Sequence, residues 1–189
     1  MSLTSWAYDL SASVLAESLP RRWAHVQGVA RRARELRPIL SEADADVMEA
    51  AAFLHDIGYA PALVKTGFHP LDGARFLRQV EHADEHVVNL VAHHSCALLE
   101  AEERGLRREL EDEFPLERPE MVDALVYCDM MTTPDGTPTD SHTRVQEIVD
   151  RYGPDTIVGR FIQRAAPEIH AASGRVLRRL ERVESGMNC

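Results

Sequence analysis

The chain contains the sequence FLHDIG at residues 53–58, where a histidine and an aspartate stand side by side at the end of an apolar segment. His55 falls on the same helical face as Val47, Ala51 and Leu54, so the pattern predicts that its side chain is buried. Burying an ionised carboxylate such as that of Asp56 is costly unless a cation or a hydrogen-bonding partner compensates its charge. The pair therefore indicates a compensating group inside the protein.

Two further polar residues, His25 and Asp129, lie on other segments with an apolar helical face. Asp129 follows Val122, Leu125 and Val126 at spacings of seven, four and three residues, which places it in the same stripe. The simplest explanation of buried His and Asp residues on separate helices is a divalent metal ion where the helices meet. Imidazole and carboxylate ligands together suit Mn, Fe, Co, Ni or Zn.

The bulk composition limits the kinds of partner. At 189 residues with 44% hydrophobic and 28% charged residues, the chain suits one globular domain. Its formal charge of −10 argues against binding to nucleic acid, which needs a basic surface. It does not argue against a small phosphorylated substrate, because a bound metal can reverse the local field.

The location predicted from the sequence is cytoplasmic. No apolar run approaches the roughly 20 residues that span a bilayer, and the N-terminus has no basic start followed by an apolar signal core. The cysteines Cys96, Cys128 and Cys189 form no CxxC pair, which is typical of a reducing compartment. We assign Cys128 to packing because its neighbours are apolar.

Apolar periodicity and breaker residues predict an all-α protein, a single helical bundle over residues 1–189 with a core at about 20–131 and C-terminal helices at 139–182. Residues 99–120 are rich in acids and arginines and are expected to be solvated helix and turn. The region 132–140 contains Pro134, Gly136 and Pro138 and is expected to be a loop. The remaining predicted helices cover residues 5–17, 20–37, 41–57, 69–80, 84–98, 120–131, 141–151 and 155–182.

These motifs resemble those of the HD-domain metal-dependent phosphohydrolases. The sequence FLHDIG at 53–58 looks like the signature of that family, HVQGVA at 25–30 matches its first-helix pattern, and Asp129 matches its closing aspartate. The resemblance runs from about residue 22 to 131. It implies a helical bundle that binds a divalent metal through His25, His55, Asp56 and Asp129, with His55, Asp56 and Asp129 acting in catalysis.

A second set of histidines falls where two-metal members of this family have theirs. His69 lies in GFHPLDGA at 67–74, and His93 and His94 follow on the next predicted helix. We rank His94 above His93, because His94 shares its helical face with Leu90 and Val91. The resemblance implies one or two ions, with Mg as a further candidate, and a bridging role for Asp56. The arrangement is similar to that of small HD hydrolases that cleave dinucleoside polyphosphates.

The resemblance also implies a reaction. Two bound ions can activate a water molecule and polarise a phosphoryl oxygen, and the developing negative charge then needs cationic side chains. Candidates for this role are Lys65, Arg75 and Arg144. The chain has Tyr59 where many HD hydrolases have a lysine shortly after the His–Asp pair, and Lys65 is a possible substitute.

Two other functions are compatible with parts of the sequence. The sequence HADEH at 82–86 fits the HxxEH pattern of inverted zinc peptidases, but helical periodicity places His82 and His86 opposite Val87 and Val91, towards solvent. A metal-binding HD module without turnover, acting as a ligand sensor or interaction domain, would keep the same ligands. The sequence leaves the oligomeric state open, with a homodimer as one expectation.

Overall fold

A computed structural model describes residues 1–186, and this part of the chain is helical throughout, without a β-strand. The predicted all-α class is confirmed. None of the described helices combines the length and the apolar composition needed to cross a bilayer. The helices are α1 (Leu3–Leu15), α2 (Pro20–Glu35), α3 (Glu42–Leu54), α4 (His69–Gln79), α5 (Glu85–His93), α6 (Ala97–Arg104), α7 (Arg107–Glu113), α8 (Pro119–Met130), α9 (Ser141–Tyr152) and α10 (Ile157–Gly186).

Local sequence sets where the helices that build the site begin. Ser41 caps α3 by accepting a hydrogen bond from the amide of Asp44 at 3.1 Å. Asp140 caps α9 through the amides of His142 and Thr143, each at 3.0 Å. These side chains satisfy amide groups that have no partner within the helix. Prolines begin α2 and α8 because the first helical position needs no amide donor.

Two main clusters of buried side chains hold the bundle together. The first draws mainly on α1 to α8, with Phe68, Leu54 and Met48 among its fully buried members. The second joins α8, α9 and α10 and contains Val126 and Ile169. The helix α8 contributes to both clusters. The C-terminal helices α9 and α10 are therefore packed against the predicted core through α8.

Two glycines allow the loop after α8 to press against α2. A Cβ atom on Gly28 would lie 2.5 Å from the carbonyl oxygen of Gly136, and a Cβ atom on Gly136 would lie 2.2 Å from the carbonyl oxygen of Ala24. Gly136 also has a φ of +77°, a region that favours glycine. The close approach brings the carbonyl of Thr133 to His25, as described below.

The predicted helix over 84–98 is wrong in its second half. The chain leaves α5 at His93, forms a short 3₁₀ turn over His94–Cys96, and begins α6 at Ala97. Ser95 and Cys96 both adopt left-handed backbone angles, with φ of 49° and 62°. In a continuous helix the carbonyl of Val91 would accept from the amide of residue 95, but here Nδ1 of His94 approaches that carbonyl at 2.7 Å. A side chain has taken the place of the helical hydrogen bond.

Other helix ends differ from prediction by a few residues. The helix α3 ends at Leu54 rather than near Ile57, and a 3₁₀ turn follows at Ile57–Tyr59. His55 and Asp56 therefore sit in the turn after α3, with backbone angles that differ from one another. The acidic region 99–120 contains α6 and α7, and Leu110 and Phe114 within it are buried. The prediction of a wholly solvated segment there is wrong, because these two buried apolar residues are not apparent among the many charged ones.

Candidate metal centre

Six polar side chains from five parts of the bundle form two neighbouring groups of metal-ligand type. In each group, one nitrogen or carboxylate oxygen per residue lies within 4.8 Å of the others. All except His69 are buried, and His69 is half-buried. One group contains His25 of α2, His55 after α3 and Asp129 of α8, and the other contains Asp56, His69 at the start of α4 and His94 after α5.

Asp56 lies between the two groups and directs one carboxylate oxygen at each. Its Oδ2 atom is 3.5 Å from Nε2 of His55 and 3.9 Å from Nε2 of His25. Its Oδ1 atom is 3.3 Å from Nε2 of His69 and 3.9 Å from Nε2 of His94. Because the side chain is 4% exposed, the carboxylate interacts with these rings rather than with bulk water. Although His55 and Asp56 are adjacent in sequence, they belong to different groups.

Backbone carbonyls fix the orientation of three histidine rings. A carbonyl can only accept, so Nδ1 of each ring must be the protonated donor, and Nε2 of the neutral ring is left as a lone pair facing the cluster. The Nδ1 donors contact the carbonyls of Thr133 (from His25, 2.9 Å), Ala52 (from His55, 2.8 Å) and Val91 (from His94, 2.7 Å).

This orientation makes the first group fit a cation. Nε2 of His25 is 3.0 Å from Oδ1 of Asp129, and with Nδ1 already donating, both atoms are acceptors that need a positive charge or a proton between them. Nε2 of His55 is buried without a hydrogen-bond partner among the described residues, which is costly for a polar atom. A divalent ion bound by His25, His55 and Asp129 satisfies all three atoms, and Asp56, His69 and His94 form a second set of the same chemistry.

The electrostatics keep both aspartates ionised. Burial by itself would raise the pKa of Asp56, but the guanidinium of Arg22 and the imidazole of His55 hold this pKa well below its usual value. Burial likewise opposes ionisation of Asp129, and the neighbouring His25 and His55 lower its pKa below the usual range. Two buried carboxylates that stay negative beside imidazole nitrogens are suitable ligands for a divalent cation.

A cavity opens beside the two groups, and residues of both groups form part of its lining. Three arginines line it: Arg22, Arg144 and Arg151. Arg21 joins them around an adjoining crevice, and the carboxylates of Asp56, Glu100 and Asp129 also line the cavity. The other polar lining residues include Tyr59 and Ser95, and the apolar ones are Pro70, Ala97, Met130, Ile148, Val158, Phe161 and Ile162.

The profile of the HD-domain family matches residues 22–152, which is more than half of the chain. The chain belongs to the HD-domain family. This family forms part of a superfamily of metal-dependent phosphohydrolases, and the His and Asp groups described above provide residues that could hold the metal. No match was found among curated proteins or among solved structures. The resemblance drawn from the sequence is confirmed at the level of the family.

The histidine His93 lies outside both groups of this HD domain. Its Nε2 donates a hydrogen bond to the carbonyl of Phe114 at 2.7 Å, and the structure does not bring His93 into either group. His94 does join a group, but for a different reason from the one predicted. It leaves the helix and turns its Nε2 towards Nε2 of His69, at 3.0 Å, instead of projecting from an apolar helical face.

Of the three cations predicted to contact substrate, the structure places only Arg144 at the cavity. Its side chain donates to Glu147, and its Nε atom is buried without a partner among the described residues. Arg75 instead donates to Glu113 and Glu109, each at 2.8 Å. Lys65 is exposed. Neither Lys65 nor Arg75 is among the described residues that line the HD-domain cavity, so the structure does not bring them to the candidate site.

Sequence analysis missed Arg22. Its NH1 atom is 2.5 Å from Oδ2 of Asp56, and its guanidinium carbon lies 3.7 Å from the centre of the Tyr59 ring. Tyr59 in turn stacks on His69 with a centroid separation of 3.8 Å. Arg22 thus supplies a cation next to Tyr59, the residue that stands where many HD hydrolases have a lysine. Its position three residues before His25, one turn away on α2, was the signal that could have identified it.

The alternative motifs lie apart from the site. His82 has a φ of 50° and precedes α5, whereas His86 is in its first turn, so the two are not one turn apart on a single helix as the peptidase motif requires. Both are exposed, and His86 pairs with Glu117 at 3.0 Å. Cys128 is fully buried and burial raises the pKa of its thiol, which is consistent with a packing role. Cys189 lies outside the described residues.

Proposed function

We propose that this HD-domain protein is a metal-dependent phosphohydrolase that cleaves a phosphate ester or anhydride of a nucleotide or another small phosphorylated compound. The observation that supports this most strongly is the position of Asp56. Its two oxygens face two separate groups of ligand atoms, which suits a carboxylate shared between two ions. His25, His55, Asp56 and Asp129 are the proposed core ligands, and His69 and His94 complete the second position.

When bound, divalent ions activate a water molecule and polarise the phosphoryl group. Residues of the chain orient the ligands and neutralise charge on the substrate. The carbonyls behind His25, His55 and His94 hold the rings in one orientation, so no reorganisation is needed during the reaction. Arg22 and Arg144 line the cavity and are placed to neutralise charge that develops on the phosphoryl oxygens.

The cavity favours a site for a small anion over a module that holds a metal only for structure. Such a module needs no open space beside the ligands. Here Arg22, Arg144 and Arg151 line the cavity, and their guanidinium groups can bind the oxygens of an anionic substrate. Turnover separates the proposed hydrolase from a ligand sensor that uses the same cavity.

The test is hydrolysis by metal-loaded protein. Protein stripped with a chelator is reloaded with Mn²⁺ and assayed with an aryl phosphate, an aryl phosphodiester and a panel of nucleotides. We expect turnover of at least one substrate class, and loss of that turnover in the His55→Ala, Asp56→Ala double variant. The matched control is His82→Ala, which removes an exposed histidine outside both groups and should leave activity unchanged.

One result would replace this proposal by the non-catalytic alternative. If the wild-type protein binds Mn²⁺, Fe²⁺, Co²⁺, Ni²⁺, Zn²⁺ or Mg²⁺ but no loaded form hydrolyses any member of the panel, the groups serve a metal-binding module. If the double variant keeps full activity, the ligands have been assigned wrongly.

A further inference from the structure

One wall of the cavity is apolar and comes mainly from α9 and α10, which supply no residue of the two groups. Ile148 of α9 and Val158, Phe161 and Ile162 of α10 line it, together with Met130 at the end of α8. Except for the partly buried Val158, which packs against them, these residues form part of the second hydrophobic cluster. The family match ends at residue 152, so the three residues from α10 lie beyond it.

The apolar wall lies in the same cavity as the two groups of His and Asp side chains. Phe161 and Ile162 are 6% and 2% exposed, and the surface that they retain contributes to the cavity lining. A substrate made only of phosphate and polar groups would leave apolar atoms facing water, whereas an apolar substituent would displace that water favourably. Tyr152 also lines the cavity and is 37% exposed.

We propose that the apolar wall is a subsite for an aromatic or heteroaromatic ring in the non-phosphate part of the substrate. This inference rests on the proposed function and narrows its substrate class to phosphate compounds that carry such a ring. Two of the lining residues, Tyr152 and Phe161, are themselves aromatic and can pack edge-to-face or offset against a ring. A rigid ring also loses less conformational entropy on binding than an alkyl chain of similar area.

The position of the charged residues sets the direction of the bound molecule. Arg144 and Ile148 lie one turn apart on α9, and both line the cavity. Arg22 and the ligand groups come from α2, α3, α4, α5 and α8, against which the first cluster packs. The phosphate therefore lies towards the arginines and ligands, and the ring lies against α9 and α10.

The test measures binding of phosphonates, which are not hydrolysed, to the Mn²⁺-loaded protein by calorimetry. Methylphosphonate reports the phosphate position alone, benzylphosphonate adds a ring, and hexylphosphonate adds a flexible chain. We expect benzylphosphonate to bind about 10- to 100-fold more tightly than methylphosphonate, as burial of one ring predicts. Phe161→Ala should remove most of this advantage and leave methylphosphonate affinity unchanged.

Two further variants keep the test decisive. Val158→Trp fills the subsite from a half-buried position and should weaken benzylphosphonate binding even if Phe161→Ala fails to fold. Leu177→Ala changes an exposed apolar residue of the same helix and should alter neither affinity. Equal affinities for benzyl- and methylphosphonate would overturn the subsite, and tighter binding of hexylphosphonate than of benzylphosphonate would overturn the choice of a ring.

The outcomes separate this inference from the proposed function. If benzylphosphonate binds as expected but no phosphate compound is hydrolysed, the subsite stands and the proposed enzymatic activity fails. If substrates are hydrolysed but the ring confers no advantage, the activity stands and the subsite fails.

Discussion

The hydroxyl group of Ser95 donates a hydrogen bond to Oδ2 of Asp129, while Oδ1 of the same carboxylate faces His25 at 3.0 Å. Ser95 makes this contact from a left-handed backbone conformation, with φ of 49° and ψ of 44°. Such a conformation is unfavourable for residues other than glycine and persists only where the surroundings hold it. The turn that contains His94 of one ligand group thus also orients Asp129 of the other.

Replacing this hydroxyl should weaken metal binding. Ser95→Ala leaves Asp129 free to rotate, and we expect metal affinity to fall about 10- to 100-fold, as is usual when a partner of a metal ligand is lost. Calorimetric titration with Mn²⁺ measures the effect directly. Ser95→Gly is the matched control, because it removes the same hydroxyl but relieves the backbone strain. If Ser95→Gly binds metal like the wild type, the loss of affinity in Ser95→Ala comes from backbone strain in the turn rather than from the missing hydrogen bond.

Removing the charge of Arg22 should change metal binding and catalysis in opposite directions. Arg22 lies 2.5 Å from Oδ2 of Asp56, so Arg22→Met leaves the ligand groups more negative and should tighten Mn²⁺ binding. The same variant loses a cation at the cavity and should lower kcat/KM by at least tenfold. Arg108→Met, at an exposed position, should change neither quantity. Weaker metal binding in Arg22→Met would show that Arg22 mainly supports the fold.

Asp129→Ala should abolish activity and strongly reduce stabilisation by metal. Metal that binds only the folded chain raises its melting temperature, and we expect a chelator to lower this temperature in the wild-type protein. In Asp129→Ala the melting temperature should respond much less to Mn²⁺ and to the chelator, because one of the three members of the first group is gone while the second group is intact. Elemental analysis after purification measures the same loss. Unchanged metal content would refute the assignment of Asp129 as a ligand.

Stability should fall as the pH drops below about 6.5, the ordinary pKa of histidine. Burial lowers the pKa of His55, His69 and His94 in the folded chain. Over that range the unfolded chain binds more protons than the folded chain, so the free energy of unfolding decreases with decreasing pH. Urea denaturation of metal-free protein at pH 8, 6.5 and 5.5 measures the slope.

Single substitutions identify the groups responsible for this slope. His69→Asn removes one of the three and should make the loss shallower. His86 is the control, because its contact with Glu117 raises its pKa, and it contributes stability at low pH that is lost as the pH rises. His86→Asn should therefore not reduce the loss on acidification. A shallower slope in His86→Asn than in His69→Asn would contradict the assignment.

Sequence patterns were enough to predict most members of the two groups because burial and helical periodicity are local properties. Asp129 stands in an apolar stripe and is buried at 7% exposure, as expected. The sequence predicts His94 on a helical face that does not exist, because nothing in HHSC at 93–96 signals that a ring nitrogen replaces a backbone donor at the carbonyl of Val91. Periodicity can identify a buried residue without giving its backbone conformation.

The contacts that the sequence did not reveal depend on tertiary structure. Arg75 and Arg22 are both arginines on helices, and only the three-dimensional contacts show that Arg75 faces Glu113 while Arg22 faces Asp56. The apolar wall from α10 was equally hidden, since Phe161 and Ile162 have the pattern of ordinary core residues. A residue that packs in the core and one that lines a cavity obey the same periodicity.

The helix α10 follows every other described helix in the chain, so the ribosome makes it after them. The segments that contain all six side chains of the two groups, from His25 to Asp129, leave the ribosome earlier and can begin to fold during translation. The two groups can therefore come together before the apolar residues of α10 that line the cavity are made. Under the proposed function, a metal ion meets an open site during synthesis, and selection among substrates begins once α10 has been added.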